Sequence, residues 1–240
     1  MTLSHRMPFV FLFAALISPA PAGLRAAEPT TAPAIKVVDG VVMPKHPVAR
    51  AIADAMQFLK KADGGYTPGR IDGELAGYFT SAHVRPDGSR SNRKLAYPGR
   101  QHAYFIFTFL RYYAYTGEQE WLLRARDLAD WNIAHSSPAD AFYANLPYST
   151  YKDDKPCGGA DRDSLEPDKS AFLGSGYLAV YEATTESKYL DAARKIAETL
   201  VHRQRENGSW PFRAVPADGR IQQDFGGAPV FFVEFFEQMI

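Results

Sequence analysis

The sequence predicts an all-α fold, an α/α toroid of about three helical hairpins with its long loops on one face. Three observations predict it. An amphipathic helix pattern recurs along the chain, it alternates with stretches that are apolar on every side, and short connections alternate with long ones. Antiparallel hairpins of such helices build a ring with the apolar helices inside and the amphipathic helices as the outer wall.

The clearest amphipathic helix runs from Leu190 to Val201, with apolar residues three or four positions apart. A matching helix lies 68 residues earlier, and both contain Ala-Arg-x-(Ile or Leu)-Ala followed by an acidic residue. A third copy occupies residues 49–54. The predicted buried faces comprise Leu122, Ala125, Leu128, Ala129 and Ile133 in one helix and Leu190, Ala193, Ile196, Ala197, Leu200 and Val201 in the other.

The order of the predicted elements places all long loops at one end of the ring. The predicted outer helices are 44–61, 120–135 and a third around 190–201, and the inner helices are 102–115, 170–181 and 229–236. Links from an inner to an outer helix are about four residues long, whereas the loops 63–101, 136–168 and 206–227 lead from outer to inner helices. Long loops in a compact domain commonly bind or catalyse, so their end is the predicted functional face.

Residues 1–27 are predicted to be a secretory signal peptide, because Arg6 precedes a short apolar run and small residues with prolines follow. That apolar run is too short to span a membrane. Residues 28–43 are predicted to be a linker and 44–240 the toroid domain. We therefore expect a secreted or periplasmic protein that is free of the membrane after cleavage.

The charge, the cysteine content and the last helix bear on the partners, the disulfides and the extent of the domain. With 27 basic and 27 acidic residues, the charge offers no argument for nucleic acid as a partner. Cys157 is the single cysteine, which excludes an intramolecular disulfide. The last apolar helix ends at Ile240 without a terminating signal, which predicts a toroid truncated at its C-terminus, with pairing to another copy as the alternative.

The run Gln204-x-x-x-Gly208-x-Trp210 resembles the QW repeat of terpenoid-cyclase-like toroids. Its continuation, Gly-Ser-Trp-Pro-Phe-Arg, is similar to secreted α/α toroids that act on sugars, such as pectate lyases and six-hairpin glycosidases. The resemblance implies that Gln204 and Trp210 fasten a loop to a helix end. The cyclases also contain a motif of clustered aspartates, which residues 161–164 match poorly. The resemblance to the toroids that act on sugars therefore implies a polysaccharide or oligosaccharide as partner.

Two clusters on the long-loop face are candidates for binding and catalysis. Arg100 is a candidate clamp for a uronate carboxylate at the start of an inner helix, and His102 or Tyr97 is a candidate base. Arg213 is a candidate for stabilising developing charge. Sugar-stacking candidates are Tyr97, Tyr148, Tyr151 and Trp210. The alternative for His102 is an ordinary helix-start residue.

Carboxylates offer a second chemistry. A hydrolase uses two carboxyl groups across its cleft, and Asp168 and Asp224 are the candidates. The acidic run 153–168 is a possible calcium site, although its spacing fits no defined calcium loop and interspersed basic residues favour a solvated surface. No cofactor is otherwise expected. The leading hypothesis is a polysaccharide lyase, with a six-hairpin glycoside hydrolase or a non-catalytic carbohydrate-binding toroid as alternatives.

Overall fold

The computed structural model describes residues 36–38, 41–43, 47–62, 95–152, 155–157 and 163–240. The chain divides into two compact units, residues 1–56 and 57–240. In the first unit, strands β1 (Lys36–Val38) and β2 (Val41–Met43) pair antiparallel within the segment predicted as a linker. The predicted signal peptide lies outside the described residues.

The described residues contain six α-helices, and each predicted helix is present with its ends shifted by four residues or fewer. They are α1 (Val48–Ala62), which crosses the boundary between the units, α2 (Ala103–Thr116), α3 (Gln119–Ala134), α4 (Pro167–Thr184), α5 (Ser187–His202) and α6 (Pro229–Gln238). A π-helical turn, Pro98–His102, leads into α2.

The outer helices α3 and α5 repeat one another in three dimensions. Their buried faces correspond at a spacing of 68 residues: Trp121, Ala125, Leu128 and Asn132 in α3, and Tyr189, Ala193, Ile196 and Leu200 in α5. Both faces are rotated from the predicted ones, since Ile133 is 37% and Val201 58% exposed. The apolar pattern did not predict this rotation. Trp121 and Tyr189, in the first turns of the two helices, point into the core, where we expected Leu122 and Leu190.

The inner helices α2, α4 and α6 lie side by side, with α4 between the other two, while α3 and α5 pack against the opposite side of α2 and α4. Two residues join α2 to α3 and two join α4 to α5, so each pair is a tight antiparallel hairpin. This is the arrangement of an incomplete α/α toroid, and the predicted fold class is confirmed.

The prediction that every inner helix is buried all round is wrong for α2 and α6, and it holds for α4 apart from one narrow stripe of partly exposed side chains and the last turn. Most of α4 is buried. On α2, Tyr104 and Tyr115 are about half exposed, and on α6 the exposed fractions of Val230 and Val233 exceed one half. The reason is position, because α4 has inner helices on both sides whereas α2 and α6 each have α4 on one side in the described part of the chain.

All three long connections contain β-structure that we predicted as irregular loop. Strands β3 (Leu95–Ala96), β4 (Thr150–Lys152) and β5 (Lys155–Cys157) form an antiparallel sheet, and β6 (Pro211–Ala214) pairs with β7 (Ile221–Gly226). Most of these strands are too short to show a period-two pattern, and β3 pairs with β4, which lies far away in sequence. Pairing satisfies backbone groups that a buried loop would leave unpaired.

The QW-like run fastens the last long connection to the end of α5. Gln204 donates its amide N–H to the carbonyl of Gly208 at 2.9 Å, and the Trp210 indole N–H donates to the carbonyl of Leu200 at 2.8 Å. The Trp210 ring also stacks on Phe232 of α6 at 4.0 Å between centroids. These contacts agree with the structural purpose that the resemblance implied for both residues.

Replacing Thr185 with glycine is expected to raise the free energy of unfolding by about 1 kcal/mol. Thr185 ends α4 in the left-handed region, with φ of 60°, where Gly117 at the corresponding end of α2 has φ of 75°. A β-branched residue is strained there and glycine is not. Urea denaturation measures the gain. Gly117→Thr is the reciprocal variant and should lose a similar amount, and equal stability of all three proteins would contradict the argument.

Candidate functional site

A cleft of about 310 Å³ opens where the long connections meet the N-terminal ends of α2 and α4. It lies on the face that the loop lengths predicted to be functional. Its lining residues are Tyr97, Gly99, Arg100, Pro147, Tyr148, Ser149, Glu166, Lys169, Phe212 and Arg213. Four predicted site residues, Tyr97, Arg100, Tyr148 and Arg213, therefore come together here.

The π-helical turn before α2 supplies one wall. Gly99 lies so close to α4 that an added Cβ would stand 2.9 Å from the Cβ of Lys169. Because only glycine permits this approach, the turn packs directly on the first turn of α4. Arg100, the next residue, is exposed and has no ion pair with any residue of the described ranges.

An ion pair between Glu166 and Arg213 forms another part of the lining. Leu165 and Ala214 exchange two backbone hydrogen bonds, of 2.9 and 3.1 Å, which join the start of α4 to β6. The guanidinium of Arg213 then donates from Nε to Glu166 Oε1 at 3.2 Å and forms a second, shorter bond from Nη2. Arg213 is thereby fixed in orientation and its charge is largely balanced.

Aromatic side chains also line the cleft. Tyr148 is half-buried and meets Tyr151 edge-on, with centroids 5.7 Å apart. Burial and the nearby carboxylate of Asp163 raise the pKa of Tyr148. Phe212 stacks on Phe225 at 4.5 Å. Tyr148 and Phe212 give the cleft an amphipathic wall of the kind that sugars stack against, and Tyr151 and Phe225 support them from behind.

Lys169 and the predicted carboxylate Asp168 form an ion pair of 2.7 Å at the start of α4. Asp168 is 1% exposed, and its Oδ2 also accepts the backbone N–H of Ala228 at 3.0 Å. It therefore joins α4 to the beginning of α6 and does not line the cleft. The structure places Asp224 elsewhere too, because its exposed side chain pairs with Arg205.

His102 lies in the core beneath the cleft. It is fully buried, its Nδ1 contacts the side-chain amide of Asn132, and its ring meets Trp131 edge-on at 5.4 Å. Its Nε2 has no partner within the described part of the chain. Burial lowers the pKa of His102 to about 4, although the contact with Asn132 acts in the opposite direction. His102 thus stays neutral and out of reach of a ligand in the cleft.

Two predicted sugar-stacking residues are also core residues. Tyr151 is 4% exposed, its hydroxyl donates to the carbonyl of His135, and its ring meets Trp131 at 5.1 Å. Trp210 is 7% exposed and is covered by Phe232. Neither lines the cleft.

The cleft is cationic. Among the described residues, Arg100, Lys169 and Arg213 line it together with one carboxylate, that of Glu166. Within the described ranges, no three His, Cys, Asp or Glu side chains are grouped to hold a metal ion. Asp153, Asp154 and Asp161 of the possible calcium site lie outside those ranges, so calcium binding stays a prediction.

Glu166 and Lys169 are lining residues that we did not single out. In the sequence, Glu166 was one member of an acidic run, and Lys169 was one of the basic residues near it. The repeat held a usable signal, because Pro98 and Glu166 are 68 residues apart. Glu166 directly precedes α4, just as the π-helical turn with Arg100 directly precedes α2.

Comparison with known proteins identifies the fold and goes no further. No protein-family model and no curated protein matches the sequence. A GH76 α-mannanase from Bacteroides thetaiotaomicron superposes with a TM-score of 0.58 at 16% identity, covering 80% of this chain and 50% of its own. A sugar epimerase from a ruminal bacterium gives 0.54 at 11% identity, covering 79% and 47%. The chain thus spans about half the length of these structures.

No helix among the described residues is both long enough and apolar enough to cross a lipid bilayer.

Proposed function

We propose that the chain is part of a carbohydrate-active α/α toroid and that its cleft binds a saccharide bearing a carboxylate. The observation that carries the proposal is the lining of the cleft, where three cations and one carboxylate surround a space walled by aromatic rings. The likeness of the fold to a solved sugar epimerase and a solved α-mannanase supports a saccharide as the class of ligand. Secretion or export to the periplasm, predicted from residues 1–27, suits such a ligand.

Arg100 is the proposed clamp for the carboxylate. Lys169 and Arg213 already have carboxylate partners, in Asp168 and Glu166, whereas Arg100 lines the cleft and has no ion pair with a described residue. A guanidinium donates two parallel hydrogen bonds to a carboxylate, which gives both affinity and orientation. The N-terminal end of α2 adds positive potential at the same point.

For a uronate, we propose β-elimination. A base removes the proton from the carbon beside the carboxylate, a carbon–carbon double bond forms, and the glycosidic oxygen leaves with the bonding electrons. Because His102 does not line the cleft, the proposal assigns the base to Tyr97, which lines the cleft beside Arg100. Tyr148 is less suited, since its raised pKa makes the phenolate harder to form.

Hydrolysis is the second candidate, and Glu166 is the observation that favours it. Glu166 is the one carboxylate among the residues that line the cleft in the described ranges, and the α-mannanase named above supports this reaction class. A hydrolase needs a second carboxylate across the scissile bond. Asp168 and Asp224 lie elsewhere, so that group would have to come from another part of the protein.

Replacing Arg100 with alanine is expected to weaken binding of an oligogalacturonate about tenfold or more, because a charge-assisted hydrogen-bond pair is lost. Isothermal titration with the full chain measures the affinity, and Arg100→Lys should recover part of it. Arg111→Ala is the matched control, since it removes an exposed arginine of α2 that does not line the cleft. Equal affinities of the Arg100→Ala and Arg111→Ala variants would refute the clamp.

The same samples separate the reactions. An absorbance gain from unsaturated uronate indicates elimination, and Tyr97→Phe should abolish it. New reducing ends without that absorbance, lost in Glu166→Gln, indicate hydrolysis. Arg100-dependent binding with neither product supports the non-catalytic alternative.

A further inference from the structure

One stripe of α4 is partly exposed on the inner side of the toroid. All residues of α4 are described, and from Lys169 to Val180 the side chains that are not buried are Lys169, Phe172 and Ala179. Spacings of three and seven residues place them on one face of the helix. Since α5, α2 and α6 cover the other sides of α4, this stripe faces the interior of the ring.

An aromatic row crosses the same inner surface from helix to helix. It consists of Tyr104 and Phe107 on α2, Phe172 on α4 and Phe231 on α6. The ring of Phe172 lies 4.8 Å from that of Tyr104 and 4.9 Å from that of Phe231, measured between centroids. Tyr104 is 46% exposed, and the other three rings are half-buried. Three consecutive inner helices thus contribute to one partly solvated aromatic surface.

The aromatic row is continuous with the cleft through Lys169. This residue lines the cleft, and its Nζ lies 5.1 Å from the centroid of the Phe231 ring. A ligand that reaches Lys169 therefore meets the end of the aromatic row next. The row itself carries no charge, whereas the cleft has three cations against one carboxylate. The two surfaces suit different parts of one molecule.

We propose that the aromatic row holds further sugar rings of a saccharide chain whose charged unit lies in the cleft. This inference rests on the proposed function and extends it, because it adds binding positions for further sugar rings outside the cleft. The apolar faces of pyranose rings stack on aromatic side chains, and their hydroxyl groups stay solvated in the open interior. Stacking depends little on which sugar occupies each position. The aromatic row therefore determines the length of saccharide that the protein prefers, while the cleft determines its preference for a charged unit.

The test is the dependence of affinity on chain length, measured by calorimetric titration of galacturonate and its oligomers into the full chain. We expect the wild-type affinity to rise with length. Tyr104→Ala and, separately, Phe172→Ala should weaken binding of the long oligomers about three- to tenfold and leave the monomer affinity unchanged. Tyr115→Ala is the control, since Tyr115 is exposed to the same degree on the same helix but lies outside the aromatic row. Thermal unfolding checks that each variant is folded.

The outcomes distinguish this inference from the proposed function. If affinity depends on Arg100 but not on chain length, or if Tyr104→Ala and Tyr115→Ala behave alike, the aromatic row does not bind sugar while the cleft assignment stands. If no uronate of any length binds, both fail. If Tyr104→Ala instead converts a self-associating chain to monomers in light scattering and leaves binding intact, the row is a contact between copies and the inference is wrong.

Discussion

Replacing Gly174 with alanine is expected to lower the free energy of unfolding by about 2–3 kcal/mol. Gly174 lies in the middle of α4, where an added Cβ would stand 2.4 and 2.5 Å from two ring atoms of Phe235. The Phe235 ring is fully buried, so it cannot turn aside into solvent. The added methyl must therefore push α6 away from α4, and those two inner helices form one of the main contacts of the toroid.

A neighbouring glycine provides the control. Gly176 is in the same helix and is buried, but the nearest atom to an added Cβ is 3.7 Å away, an ordinary contact with Ile106. Gly176→Ala should be neutral or should stabilise the protein by up to about 1 kcal/mol through helix propensity. Urea denaturation gives both values. The double variant Gly174→Ala with Phe235→Leu should recover part of the loss, and equal effects of the two glycine substitutions would show that the α4–α6 contact is looser than described.

The fold could be predicted because the repeat appears several times over. The helices α3 and α5 have the same length and share four buried positions 68 residues apart, so the same pattern occurs twice in the sequence. The β-hairpin after α5 could not be predicted in this way, because its strands pair across a turn and their register is irregular. Gly174 shows the same limit. Its contact with Phe235 joins residues that are distant in sequence, and no local periodicity contains it.

The candidate site could be predicted in part, for a related physical reason. Loop length and helix order indicate which end of the toroid a residue occupies, and that was sufficient to bring Tyr97, Arg100, Tyr148 and Arg213 together. The direction of a side chain is a separate matter. His102 follows Arg100 by two residues and yet lies in the core, because both belong to one helical turn and two steps along a helix turn a side chain to nearly the opposite side.

The buried position of His102 leads to the second large effect, which is a loss of stability in acid. The ordinary pKa of histidine is about 6.5, and burial lowers the pKa of His102 to about 4 in the folded chain. The folded state therefore favours the neutral ring, and the stability this provides is complete above pH 6.5. As the pH falls from 6.5 towards 4, His102 is protonated in the unfolded chain but stays neutral in the folded chain. The free energy of unfolding therefore falls by about 3 kcal/mol.

The chemistry of the pocket around His102 explains why protonation is resisted. A charged imidazolium donates from both nitrogens, but while Nδ1 faces Asn132, Nε2 has no acceptor among the described residues.

Urea denaturation at pH 7.5 and pH 4.5 should show the loss in the wild type. His102→Gln keeps an amide opposite Asn132 and cannot titrate, so its stability should fall less by about 2–3 kcal/mol over the same interval. His202→Gln removes an exposed histidine and should follow the wild type. If His102→Gln and the wild type lose equal stability, His102 is charged in the folded protein and the buried, neutral ring described above is incorrect.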